Sequence, residues 1–157
     1  MLKPPGLLCI LLAGLLWVAV VAAEPQRVRL PEGNVHGFLL VRTLAGETIA
    51  YGELVQKPTR GVITSRLLLH FTDGSLYDET VTFSQKEVFR LESYRLVHRG
   101  PSFPTADIAF DRKSGQYRVR QQDKKESEEK TASGALEMPP DLYNGMTSTV
   151  LKNLPRG

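Results

Sequence analysis

The chain has 157 residues, 20 basic against 17 acidic, a formal net charge of +3 and one cysteine. So mild a basicity implies no nucleic-acid partner, and a lone cysteine cannot close an intrachain disulfide, so stability must come from packing. The length suits one domain around one core.

Residues 1–23 read as an export signal. Lys3 provides a positive start, residues 6–21 carry no charge, and Val21-Ala22-Ala23 places small residues where signal peptidase cuts. The rival is an uncleaved anchor, because the apolar run is at the lower length limit for a membrane-spanning helix. The small-residue ending followed by Glu24-Pro25 favours cleavage, with the mature protein periplasmic or secreted. In the alternative, membrane contact is confined to residues 1–23. Cys9 follows Leu7-Leu8 rather than the small residues of an acylation site, and it leaves with the signal.

Residues 24–34 hold Pro25, Pro31 and Gly33 among polar residues, the composition of an extended leader. A single β-rich domain is expected over residues 35–157. Its text is rich in Val, Ile, Thr, Phe and Tyr, with recurrent glycine punctuation, the rhythm of consecutive antiparallel strands.

Strands are predicted over residues 36–44, ending at Ala45-Gly46, and 47–56, ending in a turn over 58–61 with Gly61 at positive φ. A third, over 62–72, meets Asp73-Gly74, a dipeptide suited to a type I′ hairpin. The return strand begins at Ser75 and alternates polar and apolar side chains through Thr80-Val81-Thr82-Phe83, which implies one buried and one wet face. Residues 88–98 continue the sheet, with a change of phase near Ser93-Tyr94 that predicts a bulge.

After Gly100-Pro101 a crossing loop carries Phe103, followed by strands over 106–110 and 117–120 joined by a type I turn with a glycine bulge at Gly115. Residues 121–130 are almost wholly polar and predict a solvated strand tip or long loop. Pro139-Pro140-Asp141 then opens a short amphipathic helix, with Asp141 as N-cap and Leu142, Tyr143, Met146, Val150 and Leu151 on its inner side. The fold class is therefore mainly β: an antiparallel meander forming a curved sheet or partly open barrel, with a short C-terminal helix.

Motifs that carry chemistry are sparse. His36, His70 and His98 show neither His-x-His nor His-x-x-x-His spacing, so no metal or other cofactor is implied. Asp78 and Glu79 are adjacent, but neighbouring strand residues point to opposite faces and cannot share a proton. No Gly-x-Ser-x-Gly elbow and no phosphate-binding glycine loop occurs. Arg118 and Arg120, two apart on one strand, form a row suited to an anionic ligand or headgroup if Arg66, Arg90 and Arg95 align with it; the plainer reading is a solvated sheet face.

Phe110-Asp111-Arg112, the turn Lys113-Ser114-Gly115, the strand Tyr117-Arg118-Val119 and the opening Pro139-Pro140-Asp141-Leu142 resemble the DUF3108-type family of exported bacterial proteins, which has no assigned function. The resemblance covers about half of the chain beyond the signal and implies a twisted antiparallel sheet curling into a partly open barrel. In that family strands continue after the helix, whereas here the sequence stops at Gly157, as a fragment or shortened homologue would.

The functional expectation is a non-enzymatic, exported binding or envelope-associated module. Its concave face, assigned Phe38, Leu40, Leu67, Leu69, Phe71, Val81 and Phe83, holds an apolar or lipid-like ligand or a partner strand. The alternatives are an exported hydrolase built from His70, Asp78 and His98, and a structural protein that pairs through an open sheet edge.

Overall fold

A computed structural model describes residues 24–123 and 128–155; the signal read over residues 1–23 lies outside them. Eight strands follow in chain order: β1 Val35–Arg42, β2 Thr48–Thr59, β3 Val62–Phe71, β4 Leu76–Gln85, β5 Phe89–Arg99, β6 Thr105–Asp111, β7 Gln116–Gln122 and β8 Lys130–Ala135, before one helix, α1 Thr147–Asn153. Each strand pairs antiparallel with the next in the order β1-β2-β3-β4-β5-β6-β7-β8, so the sheet is an open meander with β1 and β8 at its edges.

The turns show why the chain reverses where it does. Arg60 and Gly61 have φ of 53° and 80°, the two positive values a tight I′ connection demands, and β2 runs through Pro58 to Thr59 before turning. At Asp73-Gly74 only Gly74 is left-handed, with φ of 86°. The expected I′ turn is instead a wider one, because the Asp73 carboxylate accepts from Ser75 N–H at 2.8 Å and holds the aspartate in ordinary backbone space. The predicted bulge is present: Thr82 pairs with Ser93 but Phe83 with Leu91, leaving Glu92 as the extra residue.

Directly paired residues share a face, so the registers sort every side chain. The inner face carries Ile63, Leu67 and Leu69 of β3, Glu79, Val81 and Phe83 of β4, and Leu91, Tyr94 and Leu96 of β5. Ile63, Val81, Phe83, Phe89, Leu91 and Tyr94 form the core with Met146, roofed by Leu142, Tyr143 and Val150 from the chain end.

Three elements differ from the sequence reading. β8 follows the polar stretch expected over residues 121–130 and was not foreseen, an edge strand of small and polar residues. The helix begins at Thr147 rather than after Asp141, because Gly145 has φ of 69° and no helix runs through it; Met146 occupies the N-cap without a side-chain cap. The leader also does not stand apart. Arg27 bridges Val88, Val28 N–H donates to the Glu87 carbonyl at 2.9 Å, and the Gln85 amide exchanges both its hydrogen bonds with the Glu32 backbone.

Asn153 ties this strap to the helix. It is 0% exposed, and its Oδ1 accepts from Arg29 N–H at 2.8 Å and Leu30 N–H at 2.6 Å. Its Nδ2 donates to the Thr149 carbonyl at 2.8 Å and the Leu30 carbonyl at 3.3 Å, so all four of its hydrogen-bonding positions are used. Lys152 pairs with Glu32 at 2.7 Å beside it.

Asn153→Ala leaves two strap N–H groups and a carbonyl without partners and is expected to destabilise the fold by ~3 kcal/mol. Urea denaturation checks this, together with faster amide exchange at Arg29 and Leu30.

Candidate functional site

The central part of the inner face lies between two covers. At one end sit Met146 and Thr149, both buried, the latter on α1. At the other, the loop after β5 folds back over the sheet. Gly100 permits this: its φ is 98°, and a Cβ there would lie 2.6 Å from Ser75 Cα. Ser102 N–H donates to Ser75 Oγ at 2.7 Å and its hydroxyl donates to Asp73, which sets Phe103 stacked on His98 at 4.7 Å and edge-on to Phe71 at 5.0 Å.

Between these covers Leu39, Leu54, Leu67, Leu69, Leu96 and Ile108 are only half-buried. Beside the helix lies a cavity of 180 Å³ whose wall includes Leu39, Leu54, Leu67 and the carboxylate-bearing Glu79. Such a volume admits a chain end or a benzene-sized group rather than a whole lipid.

Glu79 is the polar centre of this trough. It is 9% exposed, and its Oε1 accepts the Tyr94 hydroxyl at 2.8 Å. Tyr77, two residues earlier on the same face, lies close to the same carboxylate. Burial first, and then the Glu79 charge and hydrogen bond, push both phenols well above the ordinary tyrosine value. His98, opposite Tyr77 in register, has its Nε2 buried without a hydrogen-bond partner. Burial lowers its pKa, with the Glu79 charge opposing. Gly145 completes the wall. A Cβ there would be 2.3 Å from Val81 Cγ2 and 3.1 Å from Glu79 Cδ, so only glycine lets the chain descend onto this carboxylate.

Of the residues assigned to the inner face, Leu67, Leu69, Phe71, Val81 and Phe83 are there, with Val81 and Phe83 closed under the helix. Phe38 and Leu40 are not. They pair with Glu53 and Tyr51 on the outer face and are 82% and 62% exposed, whereas Leu39 is the β1 residue facing inward. Arg118 and Arg120 also lie outside, in the line of Arg95 and Arg66.

That row is largely neutralised. Asp107 takes both Arg120, at 3.1 Å, and Arg95, at 3.4 Å, while Arg66 clasps Asp78 with two bonds of 2.9 and 2.8 Å. The proposed hydrolytic group is not assembled, because His70 and Asp78 face outward and His98 inward. Glu79, Tyr77, Tyr94 and His98 were missed as a group. The signal for Glu79 was its phase, since Tyr77, Glu79, Val81 and Phe83 alternate on one side of a strand.

Among the described residues no three His, Cys, Asp or Glu side chains gather to hold a metal ion, and no helix is long and apolar enough to cross a membrane. The chain matches no family model, no curated protein and no solved structure.

The depressed pKa of His98 makes a pH prediction. The neutral ring is the form the fold prefers, so its contribution is present above the unfolded value of 6.5 and lost as pH falls through the lower folded value. Asp78 and Asp107 are held low, Asp78 chiefly by its Arg66 hydrogen bond and Asp107 by Arg120 and Arg95 against its burial, so their contributions fade only below the unfolded value of 3.8. His98→Phe keeps the ring stack and removes the orphaned nitrogen. It is expected to gain ~1 kcal/mol and to flatten the loss of stability between about pH 7 and pH 5, leaving the acid limb unchanged. Denaturant midpoints across pH read both.

Proposed function

We propose that the protein is an exported, non-enzymatic binding module whose inner-face trough receives an apolar, chain-like ligand. The carrying observation is apolar surface left half-open between two covers, with a cavity beside the helix, in a face that a purely structural domain would fill. The export signal read in residues 1–23 and the resemblance to exported DUF3108-type proteins support a periplasmic or secreted setting.

Delipidated protein beginning at Glu24 is expected to bind the uncharged fluorophore N-phenyl-1-naphthylamine saturably. Leu67→Trp, which fills the trough, weakens binding by about tenfold, the equivalent of roughly 1.4 kcal/mol. Phe38→Ser, on the outer face, leaves it unchanged. Wild-type protein that shows no saturable binding overturns this function.

A second reading, association through a sheet edge, is favoured by β1. Its sequence VHGFLLVR holds no Lys, Asp, Glu or Pro, whereas the opposite edge, KTASGA, is small and begins with Lys130. An edge whose one formal charge is the terminal Arg42, and which carries exposed Phe38 and Leu40, offers its backbone to another strand. On this reading, sedimentation velocity shows concentration-dependent self-association that Leu40→Lys abolishes; a monomer at every concentration removes it.

A further inference from the structure

The Glu79 carboxylate reaches the cavity held by two phenols, Tyr94 and Tyr77, and by no countercharge. Tyr94 satisfies Oε1, and no basic side chain among the described residues lies within ion-pair distance of the carboxylate. Lys152 is committed to Glu32, and on the outer face Arg66 pairs with Asp78 and Arg95 and Arg120 with Asp107. His98 is on this face too, and its ring is stacked on Phe103 and packed against Tyr77 without bonding Glu79. A carboxylate withdrawn from water is better matched by a cation than by neutral donors alone.

The rest of the wall is consistent with that need. It adds the hydroxyl-bearing residues Ser65, Ser148 and Thr149 and contains no Lys, Arg or His. Hydroxyl oxygens accept hydrogen bonds and so can receive the N–H groups of a cation. The apolar side chains Leu54, Leu67 and Leu39 continue away from this polar spot along the same cavity.

We propose that the trough is selective for a cationic amphiphile, an alkylammonium whose nitrogen pairs with Glu79 and whose tail lies against Leu39, Leu54 and Leu67. This rests on the proposed apolar-ligand function and adds the charge of the head group. An anionic amphiphile such as a fatty acid would set a second carboxylate against Glu79, a like-charge contact that discriminates against it. The outer-face arginines lie on the wrong side of the sheet to compensate.

The test displaces N-phenyl-1-naphthylamine from the protein beginning at Glu24 with three ligands of equal chain length: n-octylammonium, n-octanol and octanoate. Octylammonium is expected to compete at concentrations lower than octanol by about tenfold, the size of one charge-assisted contact, with octanoate weakest. Glu79→Gln keeps the side-chain shape and an acceptor for Tyr94. It is expected to bring octylammonium to the level of octanol while octanol itself is unchanged.

Octanol or octanoate binding as tightly as octylammonium overturns the charge selectivity and leaves the apolar-ligand function standing, as does a preference that survives Glu79→Gln. Failure of the fluorophore and all three ligands to bind overturns both. The wild-type ranking decides on its own where the variant folds poorly.

Discussion

The structure depends on one buried amide. An open meander has no closure to hold its faces together, and a helix of seven residues has no stability of its own in water. Asn153 resolves both difficulties by giving its two acceptor and two donor positions to α1 and to the strap before β1, whose Arg29 and Leu30 are 124 and 123 residues away from it. Once the helix is clamped there, Met146 is pressed into the core with Phe83 and Phe89, and Gly145 is brought down beside Val81 and Glu79. The covered end of the sheet, the cavity beside it and the placement of the carboxylate all follow from that clasp.

The two faces then carry electrostatics of different weight. Outside, Arg66 with Asp78 and the Asp107 pair with Arg95 and Arg120 are solvated contacts, each worth about 0–1 kcal/mol and screened by salt. Inside, a single carboxylate sits among apolar side chains where a charge is costly to leave unmatched. Counting charged residues therefore points to the outer row, but desolvation points inward. A row of four arginines with two aspartates between them is a solvated sheet surface whose charges partly cancel, whereas a buried glutamate without a cation stands apart inside the trough.

Much of the strand order was readable because turn chemistry is local. Gly61 and Gly115 mark reversals at positive φ, and the phase change near Ser93-Tyr94 betrays the bulge at Glu92 without any knowledge of partners. Facing was not readable in β1, where Phe38, Leu39, Leu40 and Val41 are apolar in succession; only pairing with β2 decides that Leu39 turns inward. The strap was hidden for a related reason. Its contacts run from backbone groups to Gln85 and Asn153, far away in sequence, and its own composition resembles any proline-rich leader. The strand β8 escaped notice because Lys130 to Ala135 lacks the β-branched, alternating text that pairing with β7 makes unnecessary.

The contrast between satisfied and unsatisfied polar groups singles out the trough. At the strap, Asn153 uses every hydrogen-bonding position, Gln85 matches both polar groups of the Glu32 backbone, and Gln56 reaches the Glu32 carboxylate and the Gly33 carbonyl. In the trough the pattern reverses: His98 Nε2 is buried without a partner, Glu79 is buried without a cation, and leucines stand half-open around a cavity. Local rules that hold at the strap are broken together in one place, and buried groups left short of partners are what a binding face retains at the expense of stability.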